Sequence, residues 1–395
     1  MEKRKMHKNG TFHYSVIQGF FWMAYCAGTG FSSTYLLNIG FENAEIGILI
    51  ALSGLLAAIL QPSFAGKIDR SGKHLLKPVI FGGILTASGL SALILLLPER
   101  LWVLCGICFA GNLTVMQLLI PLINSLSICG KESRWINFGF ARAVGSLTYA
   151  GLSYILGMLI SGLGLSVLSW VRILSFAALA ASLAAFPIRF TGAEKKEEMK
   201  RETGFFARYP GFMVMMAGCF LLYLCHSFLT YYNYQIVLTK GGNEETYGVV
   251  IALAAMLELP VMFGFARMQK RAAAAVWFRL SGVGYFLKAL CCLLAMNMTA
   301  YYVVQIFQMT AWALISVASV SFVKEVTAPE DSTRGQAFIT LSYTAAMAVG
   351  SLSGGFLLQL MDVNTMLVFA VVFAAAGTLI LSLGIKRISE CISSI

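Results

Sequence analysis

The chain has 395 residues, of which 58% are hydrophobic and 12% are charged, with a mean hydropathy of +0.78 and a formal net charge of +11. Soluble globular domains carry about 25% charged residues, so the composition excludes that class and indicates a multi-pass membrane protein. The positive charge calls for no nucleic-acid partner, because a basic cytoplasmic face is attracted to anionic membrane lipid.

Apolar stretches long enough to cross a bilayer recur along the whole chain. About 20 helical residues span the hydrocarbon core, and twelve stretches meet this length. The predicted spans are residues 13–38, 45–65, 74–97, 101–128, 137–162, 166–188, 210–238, 245–266, 274–296, 299–323, 335–360 and 364–386. The first of them is too long for the apolar core of a signal peptide, and we expect it to remain as a helix.

Lys and Arg are distributed unevenly between the two sides of these spans. The N-terminal segment, alternate loops and the C-terminal tail hold nearly all of those outside the spans, whereas the opposite loops hold only Arg100 and Lys240. By the positive-inside rule, both termini are predicted to be cytoplasmic, in the plasma (inner) membrane.

A long hydrophilic segment, residues 189–209, separates six spans from the next six. It predicts an N-terminal bundle over residues 1–188, a cytoplasmic linker and a C-terminal bundle over residues 210–395. The halves are related at an offset of 201 residues, since IGILIAL from Ile46 resembles YGVVIAL from Tyr247. Two six-helix repeats are typical of secondary transporters. The expected fold is all-α, with twelve transmembrane helices in two pseudo-symmetric bundles.

The turn after the second span reads AGKIDRSGKH, from Ala65 to His74. It resembles the G-x-x-x-D-R-x-G-R-R signature of the major facilitator superfamily, with Ala65 in place of the first glycine and His74 in place of the last basic residue. The resemblance implies that a gating loop is formed by four residues, Asp69, Arg70, Gly72 and Lys73.

Three stretches resemble the branch of that superfamily that includes the proton-coupled lactose permease and the nucleoside permeases. They are LQPSF from Leu60, NFGFAR ending at Arg142, and LELP containing Glu258. The resemblance implies a cavity for a small polar solute. Where the permease has a sugar-binding carboxylate this chain has Asn124, and where it has a stacking Trp this chain has Tyr149.

The resemblance also covers the tenth and ninth spans. The Lys, His and Glu of the permease's relay on its tenth helix align with Gln305, Gln308 and Ala311, and its helix 9 Arg aligns with Lys288. The sugar site and the proton relay of the permease are therefore both altered in this chain.

Charged residues well inside a span need a partner or a water-filled cavity, which makes them functional candidates. Arg142 lies shortly after the fifth span begins and Asn124 shortly before the fourth ends, so the two share a similar depth. A guanidinium and an amide suit hydroxyls, carboxylates or a nucleobase edge. The alternative for Arg142 is a gating role in which backbone carbonyls satisfy its guanidinium. Five charged residues lie inside the spans, beyond their terminal turns: Arg142, Arg172, Glu258, Arg279 and Lys288.

Glu258 and Lys288 are predicted to lie at similar depth on antiparallel neighbouring spans. Such a pair would couple protonation to conformation, or it would be a static salt bridge between the two helices. His226 on the seventh span is a second candidate for proton coupling, with hydrogen-bonded packing as its alternative. Arg172 and Arg279, nearer to span ends, are expected to extend towards the interface.

Further polar and aromatic residues inside spans are candidates for lining the solute cavity. Gln305, Gln308 and Trp312 share one helix face. Trp22 and Trp312 lie in the middle of their spans, where facing lipid or packing is an equal alternative. The remaining candidates are Gln117 and Asn233.

The chain contains neither a nucleotide-binding loop of the type G-x-x-x-x-G-K-[ST] nor a His/Cys cluster with metal-ligand spacing. We therefore expect no enzyme activity, cofactor or metal. The sequence favours a monomeric secondary transporter that moves a small polar solute, such as a sugar or nucleoside, together with protons. A drug or metabolite exporter of the same superfamily and a non-transporting solute sensor are the alternatives.

Overall fold

The structure, a computed structural model, describes residues 2–71, 74–127, 136–186, 205–328 and 331–393. It is 89% helical, and no strand occurs in these ranges. Eleven of the described helices are long and apolar enough to cross a membrane. The all-α membrane fold expected from the composition is thus confirmed, and the number of spans is consistent with the predicted twelve because the first predicted span is helical but interrupted.

The described residues of the first half form seven α-helices and two shorter turns of other helix types. In chain order they are α1 (Glu2–Tyr25), a π-helical turn (Cys26–Gly30), α2 (Ser32–Asn38), α3 (Asn43–Arg70), α4 (Leu76–Leu96), a 3-10 turn (Glu99–Leu101), α5 (Trp102–Ser125), α6 (Phe138–Leu163) and α7 (Ser166–Ala185).

The second half continues with α8 (Phe205–Arg208), α9 (Gly211–Tyr231), α10 (Asn233–Thr239), α11 (Glu244–Met268), α12 (Ala274–Leu294), α13 (Met298–Val304), a 3-10 turn (Gln305–Gln308), a π-helical turn (Met309–Ala313), α14 (Leu314–Val326), α15 (Ser332–Leu360) and α16 (Val363–Ser393). The charged run at residues 193–202 lies outside the described residues.

The backbone repeats itself at the offset of 201 residues seen in the sequence. α2 and α10 begin and end at equivalent positions, and each follows a break in a longer helix. The break residues share a conformation, since Phe31 has φ −110° and ψ 22° and Tyr232 has φ −105° and ψ 19°. Gly40 and Gly241, related by the same offset, both adopt positive φ after the short helix ends, where a residue without a Cβ is favoured. The internal repeat therefore extends to the details of chain path.

Two compact units make up the chain. Unit 1 contains Met1–Phe41, Leu52–Glu197 and Glu244–Met256. Unit 2 contains Glu42–Ala51, Glu198–Asn243 and Leu257–Ile395. The first turns of α3 thus group with unit 2 and the first half of α11 with unit 1, and a division into six-helix bundles at residues 188 and 210 stays a prediction.

Each unit packs its helices around small and aromatic side chains. In unit 1, α1 packs on α6 and α7, and α4 packs on α5 and α7, around a buried core that includes Phe21, Met116 and Phe176. In unit 2, α9 packs on α15 and α16, and α12 packs on α14 and α16. Close contact of this kind drives helix association where lipid replaces water.

The segment just before α9 is fastened to the start of α15. Arg208 donates to the Asp331 carboxylate at 3.0 Å, and the Tyr209 hydroxyl donates to the same oxygen at 3.2 Å. The Tyr209 oxygen in turn accepts from the Ala328 backbone N–H at 3.0 Å. The last residues of the predicted linker are therefore ordered by charge-assisted hydrogen bonds.

Two glycines at equivalent positions of the repeat bring α3 and α11 into backbone contact with other helices. A Cβ on Gly47 would overlap the Ser351 carbonyl oxygen of α15, within unit 2. A Cβ on Gly248 would lie 2.5 Å from the Ser153 carbonyl oxygen of α6, within unit 1. Both Cβ atoms would lie well within the van der Waals distance of the neighbouring oxygen, so each contact requires a glycine.

We predict that Gly248→Ala lowers the stability of the purified protein by about 1–3 kcal/mol, because an added methyl group overpacks the α6–α11 contact. Gly264→Ala is the matched control in the same helix. A Cβ there meets nothing within 4 Å, and alanine is the better helix former by about 1 kcal/mol. Thermal unfolding in detergent compares the two, and equal stabilities would contradict the packing described here.

Candidate functional site

Polar and aromatic side chains from α1, α5 and α6 meet inside unit 1, in a group that we call the Arg142 cluster. The Arg142 guanidinium lies 3.9 Å from the centre of the Trp22 ring. The Trp22 indole N–H donates to Gln18 at 2.9 Å, and the Gln18 amide donates to Asn124 at 3.3 Å. The cluster consists of Arg142, Trp22, Gln18, Asn124 and Tyr149.

Neighbouring groups hold the cluster in place. Arg142 donates to the Ser146 hydroxyl one turn further along α6, at 2.8 Å. The Gln18 amide also donates to the Tyr14 hydroxyl at 2.6 Å, and that hydroxyl donates to the Ile123 carbonyl of α5 at 3.2 Å. Since Gln18 is fully buried, these bonds fix the orientation of its amide, and the amide in turn orients Asn124 and Trp22.

Tyr149 joins the cluster through its ring. It follows Arg142 by seven residues, which is two helical turns and therefore the same face of α6. Its ring centre lies 6.4 Å from that of Trp22 in an edge-on arrangement. Its hydroxyl is close to the π-helical turn, because a Cβ on Gly30 would lie 2.8 Å from that oxygen. Arg142, Asn124 and Tyr149, predicted as solute contacts, are thus brought together.

Gln117 lies on α5 two turns before Asn124, but its side chain is directed towards α3. A Cβ on Gly54 would lie 3.7 Å from the Gln117 side-chain oxygen, and the Gln117 backbone carbonyl accepts from Gln61 at 3.3 Å. Gln117 therefore borders the α3–α5 contact.

A hydrogen-bonded chain crosses three helical segments of unit 2. The Lys288 ammonium of α12 donates to the Gln308 side-chain oxygen, and the Gln308 amide donates to the Glu258 carboxylate of α11 at 2.8 Å. Lys288 and Gln308 are buried, whereas Glu258 is half-buried. We call Lys288, Gln308 and Glu258 the Lys288 chain. The prediction of a Glu258–Lys288 pair omitted the amide between them.

An aromatic stack lies in the same unit. His226 stacks on Trp312 with ring centres 4.4 Å apart and an angle of 7°. The edge of Tyr285 meets His226 at 5.8 Å, and Tyr343 lies 5.5 Å from Trp312. The Thr230 hydroxyl lies 3.4 Å from the His226 Nε2 atom. These rings hold the predicted candidates His226 and Trp312 rigidly against each other.

The backbone changes its helix type where the Lys288 chain crosses it. Gln308 is the last residue of the 3-10 turn, and the π-helical turn begins at the next residue. A Cβ on Gly284 of α12 would lie 2.5 Å from the Thr310 backbone, so α12 presses against the π turn. Tight 3-10 turns within a helix often mark hinges, and π turns often mark functional sites.

Two other predicted solute contacts lie near the beginning of this segment. The Gln305 amide donates to the Tyr301 carbonyl of its own helix at 3.1 Å. The Tyr301 hydroxyl donates to the Asn233 side chain at the start of α10, at 2.8 Å. Gln305 and Asn233 are therefore connected through Tyr301.

The signature loop is only partly described. Arg70 is exposed at the end of α3. Gly72 and Lys73 lie outside the described residues, and so does the side chain of Asp69. Their gating role stays a prediction.

Arg172 is buried. The prediction that it extends towards the membrane interface is wrong, because its side chain is fully buried within unit 1. It packs over Phe109 of α5, with the guanidinium 4.8 Å from the ring centre. α1 and the π-helical turn pack against α7. In an isolated helix this face would be exposed.

Sequence reasoning overlooked Gln18, Tyr14 and Tyr285. Tyr14, Gln18 and Trp22 recur every four residues on α1, which is the spacing of one helix face, and this pattern could have identified the stripe. No comparable pattern marks Tyr285. It becomes part of the aromatic group only because α12 packs beside α9.

Comparison with known proteins agrees with this architecture. The family described as the MFS_1 like family matches residues 13–371. The chain belongs to that family. A maltose permease of Geobacillus stearothermophilus is 26% identical over 256 residues, which cover 60% of this chain and 62% of the permease.

Solved structures share the fold of this MFS_1 like protein. The nucleoside transporter NupG superposes with a TM-score of 0.72 at 14% identity, covering 97% of this chain and 99% of NupG. An auto-inhibited peptide transporter of the POT family superposes with a TM-score of 0.71 at 12% identity, covering 97% of each chain. This multi-pass membrane protein of the MFS_1 like family thus shares its fold with solved transporters.

We predict that Lys288→Met destabilises this MFS_1 like protein by roughly 3 kcal/mol, because it leaves the buried Gln308 oxygen without its donor and the Glu258 carboxylate without its counter-charge. The double variant Glu258→Gln/Lys288→Met removes both charges and should recover most of the loss. Thermal unfolding of wild type, both single variants and the double variant gives the coupling energy. Additive losses would contradict a coupled chain.

Proposed function

We propose that this transporter moves a small polar solute, a sugar, a nucleoside or a similar molecule, across the inner membrane by alternating access and in symport with protons. The observation that carries the proposal is the Lys288 chain, which connects an intramembrane carboxylate to an intramembrane cation through one amide. A relay for protons needs a titratable group whose partner can be exchanged during transport.

Glu258 is the proton carrier in this proposal. As a carboxylate it accepts the Gln308 amide hydrogen at 2.8 Å. Protonation to the carboxylic acid would weaken this hydrogen bond, because the acceptor would lose its charge. Protonation would also leave the Lys288 charge without its counter-charge in the chain. A change in the protonation of Glu258 therefore alters the environment of Lys288 through Gln308, at the point where the helix type changes. The buried His226, stacked on Trp312, is the second candidate in the same unit.

The Arg142 cluster supplies the features of a polar-solute site. Arg142 offers planar donors, Asn124 offers both a donor and an acceptor, and Trp22 and Tyr149 offer aromatic faces. All four are only half-buried, so they are accessible where the buried Gln18 is not. Amides and aromatic faces suit the hydroxyls and apolar faces of sugars and nucleosides. Maltose and nucleoside carriers among the similar proteins support the same substrate class.

Gln305, Asn233 and Trp312 are the proposed solute contacts of unit 2. Trp312 is half-buried and presents a rigid ring, because its indole is stacked on His226. Asn233 lies directly after the break that follows α9. Interrupted helices form the binding sites of several transporter folds, since unpaired backbone groups at the break can contact the solute.

Alternating access is supported by the internal repeat of the chain. The repeat reaches the packing, because Gly47 and Gly248 each make a backbone-to-backbone contact at equivalent positions. Internal repeats of this kind are typical of transporters that work by rocking. The distribution of Lys and Arg supports cytoplasmic termini.

The proposal is tested by a solute panel on the purified protein, followed by flux in proteoliposomes. A ligand raises the melting temperature by mass action, so mono- and disaccharides, nucleosides and drug-like cations are compared at equal concentration. Inward accumulation of a stabilising solute under an imposed proton gradient supports symport. Outward movement of drug-like cations would support an exporter instead, and binding without flux would support a sensor.

We predict that Arg142→Lys weakens binding of the identified solute by about 1–3 kcal/mol, because lysine keeps the charge but loses the planar donors and the stacking on Trp22. Calorimetric titration of the purified variant measures the loss. Arg279→Lys is the matched control, since Arg279 is also intramembrane but belongs to neither the Arg142 cluster nor the Lys288 chain. Wild-type affinity in Arg142→Lys would show that the solute binds elsewhere.

We predict that Glu258→Gln abolishes uphill uptake but leaves solute exchange measurable, because glutamine resembles the protonated acid and cannot release a proton. Proteoliposomes with and without a proton gradient separate the two activities. Glu390→Gln, at an exposed glutamate of α16, should behave as wild type. Persistent pH-dependent accumulation in Glu258→Gln would transfer the role to His226. A wild type without proton dependence would leave a facilitator or a carrier coupled to another ion.

A further inference from the structure

Arg172 is the largest side chain that is fully buried in the described part of the chain. It lies six residues after α7 begins, roughly 9 Å from the helix end. Its Nη2 atom donates to the Ser169 hydroxyl at 2.7 Å. Its Nε and Nη1 atoms have no hydrogen-bond partner among the described residues. A buried guanidinium with unsatisfied donors is costly in any protein interior and more so within a membrane.

The packing around Arg172 compensates its charge only in part. The Phe109 ring lies under the guanidinium, and Tyr35 stacks on Phe109 with ring centres 4.6 Å apart. A cation–π contact attracts the positive charge but accepts no N–H hydrogen bond in the guanidinium plane. Arginine does not lose its proton in proteins, so the charge itself persists. The site therefore lacks a hydrogen-bond acceptor with negative charge.

Unit 1 supplies no carboxylate for this purpose within its described residues. The interior of its described helices holds Arg142 and Arg172, whereas its described Asp and Glu residues lie at helix ends and in loops. Arg142 stacks on Trp22 of its own cluster and donates to Ser146. Arg172 is thus a second intramembrane cation of unit 1, and its one hydrogen bond among the described residues goes to a hydroxyl and not to a carboxylate. This differs from unit 2, where Lys288 is connected to Glu258.

The chain opposite Arg172 is irregular, and an unsatisfied hydroxyl follows it. The π-helical turn Cys26–Gly30 packs against α7, and a Cβ on Gly28 would lie 3.9 Å from the Arg172 Cδ atom. The buried Oγ1 atom of Thr34, four residues after this turn, has no hydrogen-bond partner among the described residues. Hydroxyl groups can donate to an anion beside a guanidinium.

We propose that Arg172 binds a compact monovalent anion inside unit 1, between α7 and the π-helical turn of the first helix. The ligand is small because the surroundings are tight, as a Cβ on Gly28 would already lie 2.6 Å from the Met116 sulfur. A halide ion and the carboxylate of a small solute share this chemistry. The site is separate from the Arg142 cluster, and its test does not require the transported solute to be known.

The test uses the purified full-length chain in sodium gluconate, an anion too large for the site. Chloride or acetate then replaces gluconate at constant ionic strength, and the melting temperature is measured. Binding predicts a saturable rise of several degrees with the fitting anion. A rise with chloride identifies a free halide as the ligand, and a rise with acetate alone identifies a carboxylate group. A melting temperature that ignores anion identity overturns the proposal.

Variants locate the effect. Arg172→Met keeps the bulk of the side chain and removes its charge, so its melting temperature should exceed that of wild type in gluconate and should no longer respond to chloride or acetate. Arg267→Met, at an exposed arginine in the last turn of α11, is the control and should keep the wild-type response. If Arg172→Met does not fold, Arg172→Lys should fold and show a weakened response, because it keeps the charge with fewer donors. A full response in either Arg172 variant overturns the proposal.

Discussion

The interior of a bilayer contains neither bulk water nor counter-ions, so every charge within it has to be satisfied by the protein or by a bound ligand. This constraint accounts for the groups that distinguish the chain from a purely apolar bundle. Arg142 stacks on the Trp22 indole and donates a hydrogen bond to the Ser146 hydroxyl. Lys288 donates to the Gln308 amide, which in turn donates to the Glu258 carboxylate. Arg172 uses one hydroxyl and one ring, and still has donors to satisfy among the described residues.

The two units meet this constraint with different chemistry. Unit 1 has cations and neutral polar groups inside its described helices, which suits recognition of hydroxyls, amides and negative charge. Unit 2 has a carboxylate and an ammonium that an amide connects, which suits the uptake and release of a proton. The proposed function assigns solute recognition mainly to the first and ion coupling mainly to the second. A repeat that began as two equal halves would thereby have specialised.

The repeat remains visible in the backbone after most side chains have diverged. Phe31 and Tyr232 share an unusual conformation at a helix break, and Gly40 and Gly241 share positive φ. Gly47 and Gly248 both lie at close backbone contacts that leave no room for a Cβ. Conformations that only some residues adopt, and contacts that only glycine permits, restrict substitution more strongly than apolar packing does. The equivalence of the halves is therefore preserved at these positions.

The sequence by itself determined the membrane class, the helical fold and the repeat, because span length, hydropathy and internal similarity are properties of local composition. It also identified Arg142, Glu258 and Lys288, since a charge inside an apolar span is conspicuous without any structure. The tertiary structure alone decided their partners. Gln308 enters between Glu258 and Lys288 where a 3-10 turn meets a π turn, and hydropathy does not record helix type. Arg172 looked interfacial and is buried, because the neighbouring helices that cover α7 lie far from it in sequence.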